Sequence, residues 1–168
     1  MRHNMNTNLN ETRSKLPRQA DIETFLRTVH FPKDPQQSYH LSELVAVTAD
    51  HFKLAPEVVT LKLADFGFNG HGNTGTFLEC LVIWGTFQLT EEGHVKKVGP
   101  NQWSDIHCTI EAYSLPPLSK REVGFAQVSV KILKGIEWDA EKIKLELSGK
   151  WSPPVLAMAI RNVFGVSA

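Results

Sequence analysis

The chain has 168 residues, with 42% apolar and 21% charged side chains, which is ordinary for one globular domain large enough to bury a core without a staple. Lys plus Arg and Asp plus Glu number 18 each, so the formal net charge is zero. That balance argues against a general grip on a nucleic-acid backbone, although it leaves room for a local patch.

The first eighteen residues are polar and rich in asparagine, with no hydrophobic segment of the kind a secretory signal needs. They are expected to form a flexible tail at 1–18, with a transit segment as the alternative, and one α+β domain is expected over 19–168. No apolar run approaches the roughly 20 residues that span a bilayer, and a cytoplasmic location is expected.

Ile22, Phe25, Leu26 and Val29 recur at helical spacing, predicting a helix that begins at Asp21 and stops at Pro32. Leu41, Leu44, Val45 and Phe52 predict a second helix, with Ser38 as a candidate cap and Pro56 as its breaker. From Val58 the period shifts to two. Val59, Leu61 and Leu63 predict a strand, and Phe77 to Leu89, apolar on both sides, predicts a central strand covered on both faces.

Glu91-Glu92-Gly93 then predicts a turn into a strand at 94–98, and Gly99-Pro100-Asn101 another turn. Three alternating runs follow, at 105–112, 125–132 and 143–148. Pro153 and Pro154 open a final helix carrying Leu156, Ala157, Ile160 and Val163. The predicted architecture is α+β: two N-terminal helices, an antiparallel meander of about six strands, and a C-terminal helix gripped by the curled sheet. A two-sheet sandwich is the alternative.

Several local patterns invite chemistry. Gly70-His71-Gly72-Asn73-Thr74-Gly75 spells GxGxxG, but it lies between two predicted strands rather than opening a helix, so it reads as a hairpin loop. Asp65-Phe66-Gly67 lacks every companion motif of a kinase. The seven histidines are scattered, and neither Cys80 nor Cys108 has a zinc-ligand spacing. No metal and no cofactor is expected, and the two thiols are expected to be free and buried.

Strand alternation would put Asp105, His107, Thr109 and Glu111 on one face, either the solvated side of the sheet or the lining of a cleft. Glu79 interrupts an apolar run, and a carboxylate there must be paired, hydrogen-bonded or turned to a cavity. Glu79 and His107 are therefore the candidate acid–base residues, and Trp84, Asp105 and Glu111 the candidate ligand- or partner-binding residues.

Trp84, Leu89, Gly93, Val95 and Trp103 have a spacing that resembles the winged-helix domain at the start of Mrr-type restriction endonucleases, over about a quarter of the chain. The resemblance implies a helix over 77–92 and nucleic-acid binding. The leading expectation from the residues is different: a non-catalytic module that grips a protein partner or an apolar small ligand through its curled sheet. A small hydrolase, isomerase or cyclase with an acid–base pair in a sheet-lined cavity is the second expectation, and the winged-helix-like nucleic-acid binder the third. Oligomeric state is not legible from the residues.

Overall fold

Helix dominates the computed structural model, which describes residues 2–68, 74–114 and 118–165. In chain order come α1 (Arg2–Ser14), α2 (Gln19–Phe25), a π turn (Leu26–His30), α3 (Phe31–Lys33), β1 (Ser38–His40), α4 (Leu41–His51) and α5 (Pro56–Val59). A 3₁₀ turn (Leu63–Phe66) leads to α6 (Phe77–Glu91), β2 (Val95–Gly99), β3 (Gln102–Asp105), α7 (Lys120–Gly135), α8 (Ala140–Leu147) and α9 (Pro153–Phe164).

The expected six-stranded meander is therefore corrected to one small antiparallel sheet of three strands in the order β1-β3-β2. The run at 125–132 is helix, the run at 143–148 is helix up to Leu147, and 77–89 is helix rather than a central strand. Residues 58–64 end α5 and enter the 3₁₀ turn, and the run at 105–112 leaves the sheet at Asp105. The strand at 94–98, the turn at 99–101 and the helices near 22, 41 and 153 lie close to where the pattern placed them, with shifted starts, whereas the strand after that turn is Gln102–Asp105 rather than 105–112. The first helix begins at Gln19, and Ser38 belongs to β1 while His40 Nδ1 caps α4 by accepting from the Ser42 N–H.

Two cores share α6. Phe77, Cys80 and Trp84 on one side of it join the first core, with Val123, Ala126 and Val130 of α7, Ile143 and Leu147 of α8, and Leu156 and Ala159 of α9. Leu78, Val82 and Leu89 on the other side join the second, with Ile22 and Leu26, Leu41 and Leu44 of α4, and Tyr39, Val95 and Trp103 of the sheet. A helix enclosed from two directions is apolar nearly all round, which is why 77–89 shows no amphipathic period. Gly85 lets α2 approach: a Cβ there would stand 3.4 Å from Cγ of Glu23.

Local chemistry fixes the element ends. The Thr76 hydroxyl accepts from the Glu79 N–H at 3.2 Å, and the Ser119 hydroxyl from the Glu122 N–H at 3.3 Å, so α6 and α7 both begin at hydroxyl caps. An Asp139 carboxylate oxygen caps α8 at 2.7 Å. Pro32 has no N–H to give the preceding turn, and the helix widens to its π turn just ahead of it. Asn101, at φ 54°, makes the tight turn between β2 and β3. The N-terminal segment, expected as a tail, forms α1, with Leu9 and Leu16 against the first core and the Arg13 guanidinium 5.1 Å from the Phe77 ring centre. Among the described residues, no helix is long and apolar enough to cross a membrane.

Helix α6 matches the helix over 77–92 that the winged-helix resemblance implies. Two features set it apart from a reading helix. Both long faces of α6 are packed in cores, and its sequence holds Glu79 and Glu91 but no Lys or Arg.

Candidate functional site

The structure scatters the residues that the sequence grouped. Glu79 is buried in the first turn of α6, where its carboxylate accepts from the Thr74 N–H at 3.1 Å. It stands three residues after its own cap, so Thr76 and Glu79 form a variant of the reciprocal capping box, with the carboxylate reaching back two residues beyond the cap. An acidic group there also faces the positive end of the helix dipole. This is a structural partner. Glu79→Gln keeps the shape but weakens a charge-assisted bond, and is expected to lower stability by about 1–3 kcal/mol. Chemical denaturation that finds no change would contradict the assignment.

His107 lies exposed in the turn after β3. Its backbone N–H donates to Asp105 Oδ1 at 2.9 Å, so that carboxylate organises a turn and makes no hydrogen bond to the imidazole there. Glu111 is exposed in irregular chain. The shared strand face of Asp105, His107, Thr109 and Glu111 is thus corrected: the strand ends before three of them. Trp84, proposed as a binding residue, is 3% exposed and belongs to the first core, with the Lys144 ammonium 5.3 Å from its ring centre. The GxGxxG loop falls largely on 69–73, outside the described residues.

Cys80 and Cys108 are both buried and free, and burial pushes the Cys80 thiol up to about 11, far from the thiolate a nucleophile needs. Among the described residues, no cluster of three or more His, Cys, Asp or Glu could hold a metal ion.

Among the described residues, two concavities bring three or more titratable groups together. Between α6, α8 and α9, a cavity of 190 Å³ is lined by Gln88, Glu91, Lys144 and Arg161, among others. Burial pulls the Lys144 ammonium below its ordinary range, while Glu23 and Glu141 oppose that shift. Arg161 Nη1 donates to Glu91 at 2.9 Å, so its charge is already paired. The volume lies below the roughly 300 Å³ of ordinary small-molecule sites. An open groove of 530 Å³ beside α2 holds Phe25, His30, Tyr39 and His51, with the Phe25 and His51 rings stacked at 3.9 Å. Burial lowers the His30 pKa and favours its neutral form, and its Nε2 is enclosed without a hydrogen-bond partner.

The feature that sequence reasoning missed is the outer face of α7. Val123, Ala126 and Val130 turn inward at i, i+3 and i+7. On the opposite side Phe125, Val128 and Ile132 are 56%, 56% and 64% exposed, and Ile136, just past the helix end, is 58% exposed. Phe125, Val128 and Ile132 fall at helical spacing and Ile136 follows at the helix end, so the four side chains form one apolar stripe about 16 Å long, given 1.5 Å per residue. Arg121 extends it, its guanidinium 5.6 Å from the Phe125 ring centre. Gly124 and Gly135 flank it, and a Cβ at either would meet nothing within 4 Å. Isolated exposed apolar residues are normal, whereas here four stand together along one side of α7 and its C-terminal end.

Its signal was present in the sequence as an excess. Helical spacing accounts for the buried set alone, and the second apolar set has no role in the fold. Comparison of the chain with protein-family models, with curated proteins and with solved structures finds no match.

Proposed function

We propose that this chain is a non-catalytic protein-docking module, and that it binds through the outer face of α7. The observation that carries the reading is the pair of apolar stripes on one helix, one packed in the first core and the other more than half exposed at every position. The curled-sheet grip expected from the sequence is not available, because the sheet has three short strands whose Tyr39, Val95 and Trp103 are turned into the second core. An aromatic and three branched aliphatic side chains on a helix suit a helical or apolar protein surface, the composition found at the centre of interfaces.

The supporting geometry favours docking over acid–base chemistry. Glu79 serves a helix end and Asp105 a turn, so neither carboxylate is held against an imidazole. It also favours a protein over a nucleic acid, since the exposed stripe is apolar and α6 carries no basic residue.

A native-mass measurement on the protein taken from its own cells tests this reading. The expected result is the 18.9 kDa chain together with at least one further protein chain. A bare chain, or one carrying only a small molecule or nucleic acid, would contradict it.

A further inference from the structure

The geometry points to the cavity between α6, α8 and α9 as a site for a small organic monocarboxylate, its anionic end on Lys144 and its hydrocarbon end on Ala140, Ala157 and Ile160. This goes beyond the docking reading and does not rest on it.

Lys144 carries the assignment. Its side chain leaves α8 half-buried, with the ammonium 5.3 Å from the Trp84 ring centre. It borders two voids, the 190 Å³ cavity and one of 40 Å³ beside Gln19, Leu81 and Glu141. Among the described residues, its Nζ has no hydrogen-bond acceptor and no ion-pair partner. The carboxylates of Glu23 and Glu141 act on it only from a distance. Glu23 is taken by Gln19, whose Nε2 donates to it at 2.9 Å, and Glu141 is exposed. An ammonium withdrawn from water without a counter-charge costs free energy, which an anion within reach recovers. The downward pull of burial on its pKa is the expression of that cost.

The rest of the cavity selects the anion. Its charged lining is Lys144, Arg161 and Glu91. Glu91 accepts from Arg161 Nη1 at 2.9 Å and neutralises it, which leaves one net positive charge. That matches a monoanion and would leave a phosphate dianion half-compensated. A guanidinium has several N–H donors, so Arg161 keeps some for a second acceptor while Glu91 holds it in place. Ala140, Ala157 and Ile160 offer carbon surface, which suits a hydrocarbon chain and not a second charged group. The 190 Å³ is the liquid volume of roughly six waters, room for a chain of about four carbons but not for a nucleotide.

Butyrate on the purified full chain is the probe, and backbone amide chemical shifts are the measurement. Sodium butyrate is raised to about 50 mM against sodium chloride of equal ionic strength. The expected result is a saturable set of shifts around Gln88, Lys144 and Arg161, with a dissociation constant on the order of 1 mM. Butyramide has nearly the same shape without the charge, and is expected to bind at least about tenfold more weakly. Lys144→Met keeps a stem over Trp84 and removes the charge, so it is expected to weaken butyrate about tenfold while dichroism stays that of the folded chain. Arg161→Gln is expected to weaken it about threefold.

Shifts that sodium chloride reproduces, or that butyramide produces equally well, would overturn the site. Saturation by inorganic phosphate with none by butyrate would overturn the choice of anion. Unchanged butyrate binding in folded Lys144→Met would remove Lys144 from the site and the proposal with it. If that variant does not fold, the comparison of butyrate with butyramide on the wild type still decides. None of these outcomes touches the docking reading, whose own test is the native mass.

Discussion

Val130→Asp is expected to unfold the protein, while Val128→Asp, two residues away, changes its stability by no more than about 0.5 kcal/mol. Val130 is fully enclosed in the first core between α7 and its neighbours. An aspartate there loses the valine's burial and must desolvate a carboxylate with no partner, a cost of the same order as the whole stability of an ordinary domain, about 5–15 kcal/mol. Val128 is 56% exposed and gives up little. Urea denaturation of the dilute variants, followed by far-UV dichroism, separates the two. In a strand, both residues would share a face and the two substitutions would behave alike, so equal effects would contradict the helical assignment of α7.

Trp84→Ala is the second large effect. The indole is 3% exposed on α6, packed in the first core and covered by the Lys144 ammonium. Its truncation leaves a cavity at the junction of α6 and α8 and removes a cation–π contact, so a loss of about 3–5 kcal/mol is expected. Thermal unfolding measures it. A variant with wild-type stability would mean that Trp84 stands at the surface, as its first assignment to binding implied.

The same residues explain what could be read from the sequence. The three helices with a single apolar stripe were legible, and so were β2 and the turn after it, because Gly99-Pro100-Asn101 marks that turn. The failures share one cause. A period-two reading takes Ala126, Val128, Val130 and Ile132 as one strand face, but the fold assigns Ala126 and Val130 to the core and Val128 and Ile132 to the outside. Two apolar stripes on one helix, summed, imitate alternation. Helix α6 failed for the related reason that it is enclosed between two cores.

A correcting signal was present. Thr76-Phe77-Leu78-Glu79 and Ser119-Lys120-Arg121-Glu122 both have the hydroxyl and acidic residue of a capping box at the start of a helix. Read that way, Glu79 is a helix-start residue rather than an anomaly in a strand. The candidate site was hidden because its residues were spent on a false strand. The grouping of Asp105, His107 and Glu111 failed because β3 ends at Asp105.

The central claim is that the outer face of α7 holds another protein chain. Native mass spectrometry of the wild type and of a Val128→Asp, Ile132→Asp double variant, both taken from the protein's own cells, tests it most directly. The account predicts that the wild type carries a protein companion and that the variant, still folded by dichroism, is a bare 18.9 kDa chain. A companion retained by the folded variant, or absent from the wild type, would contradict it.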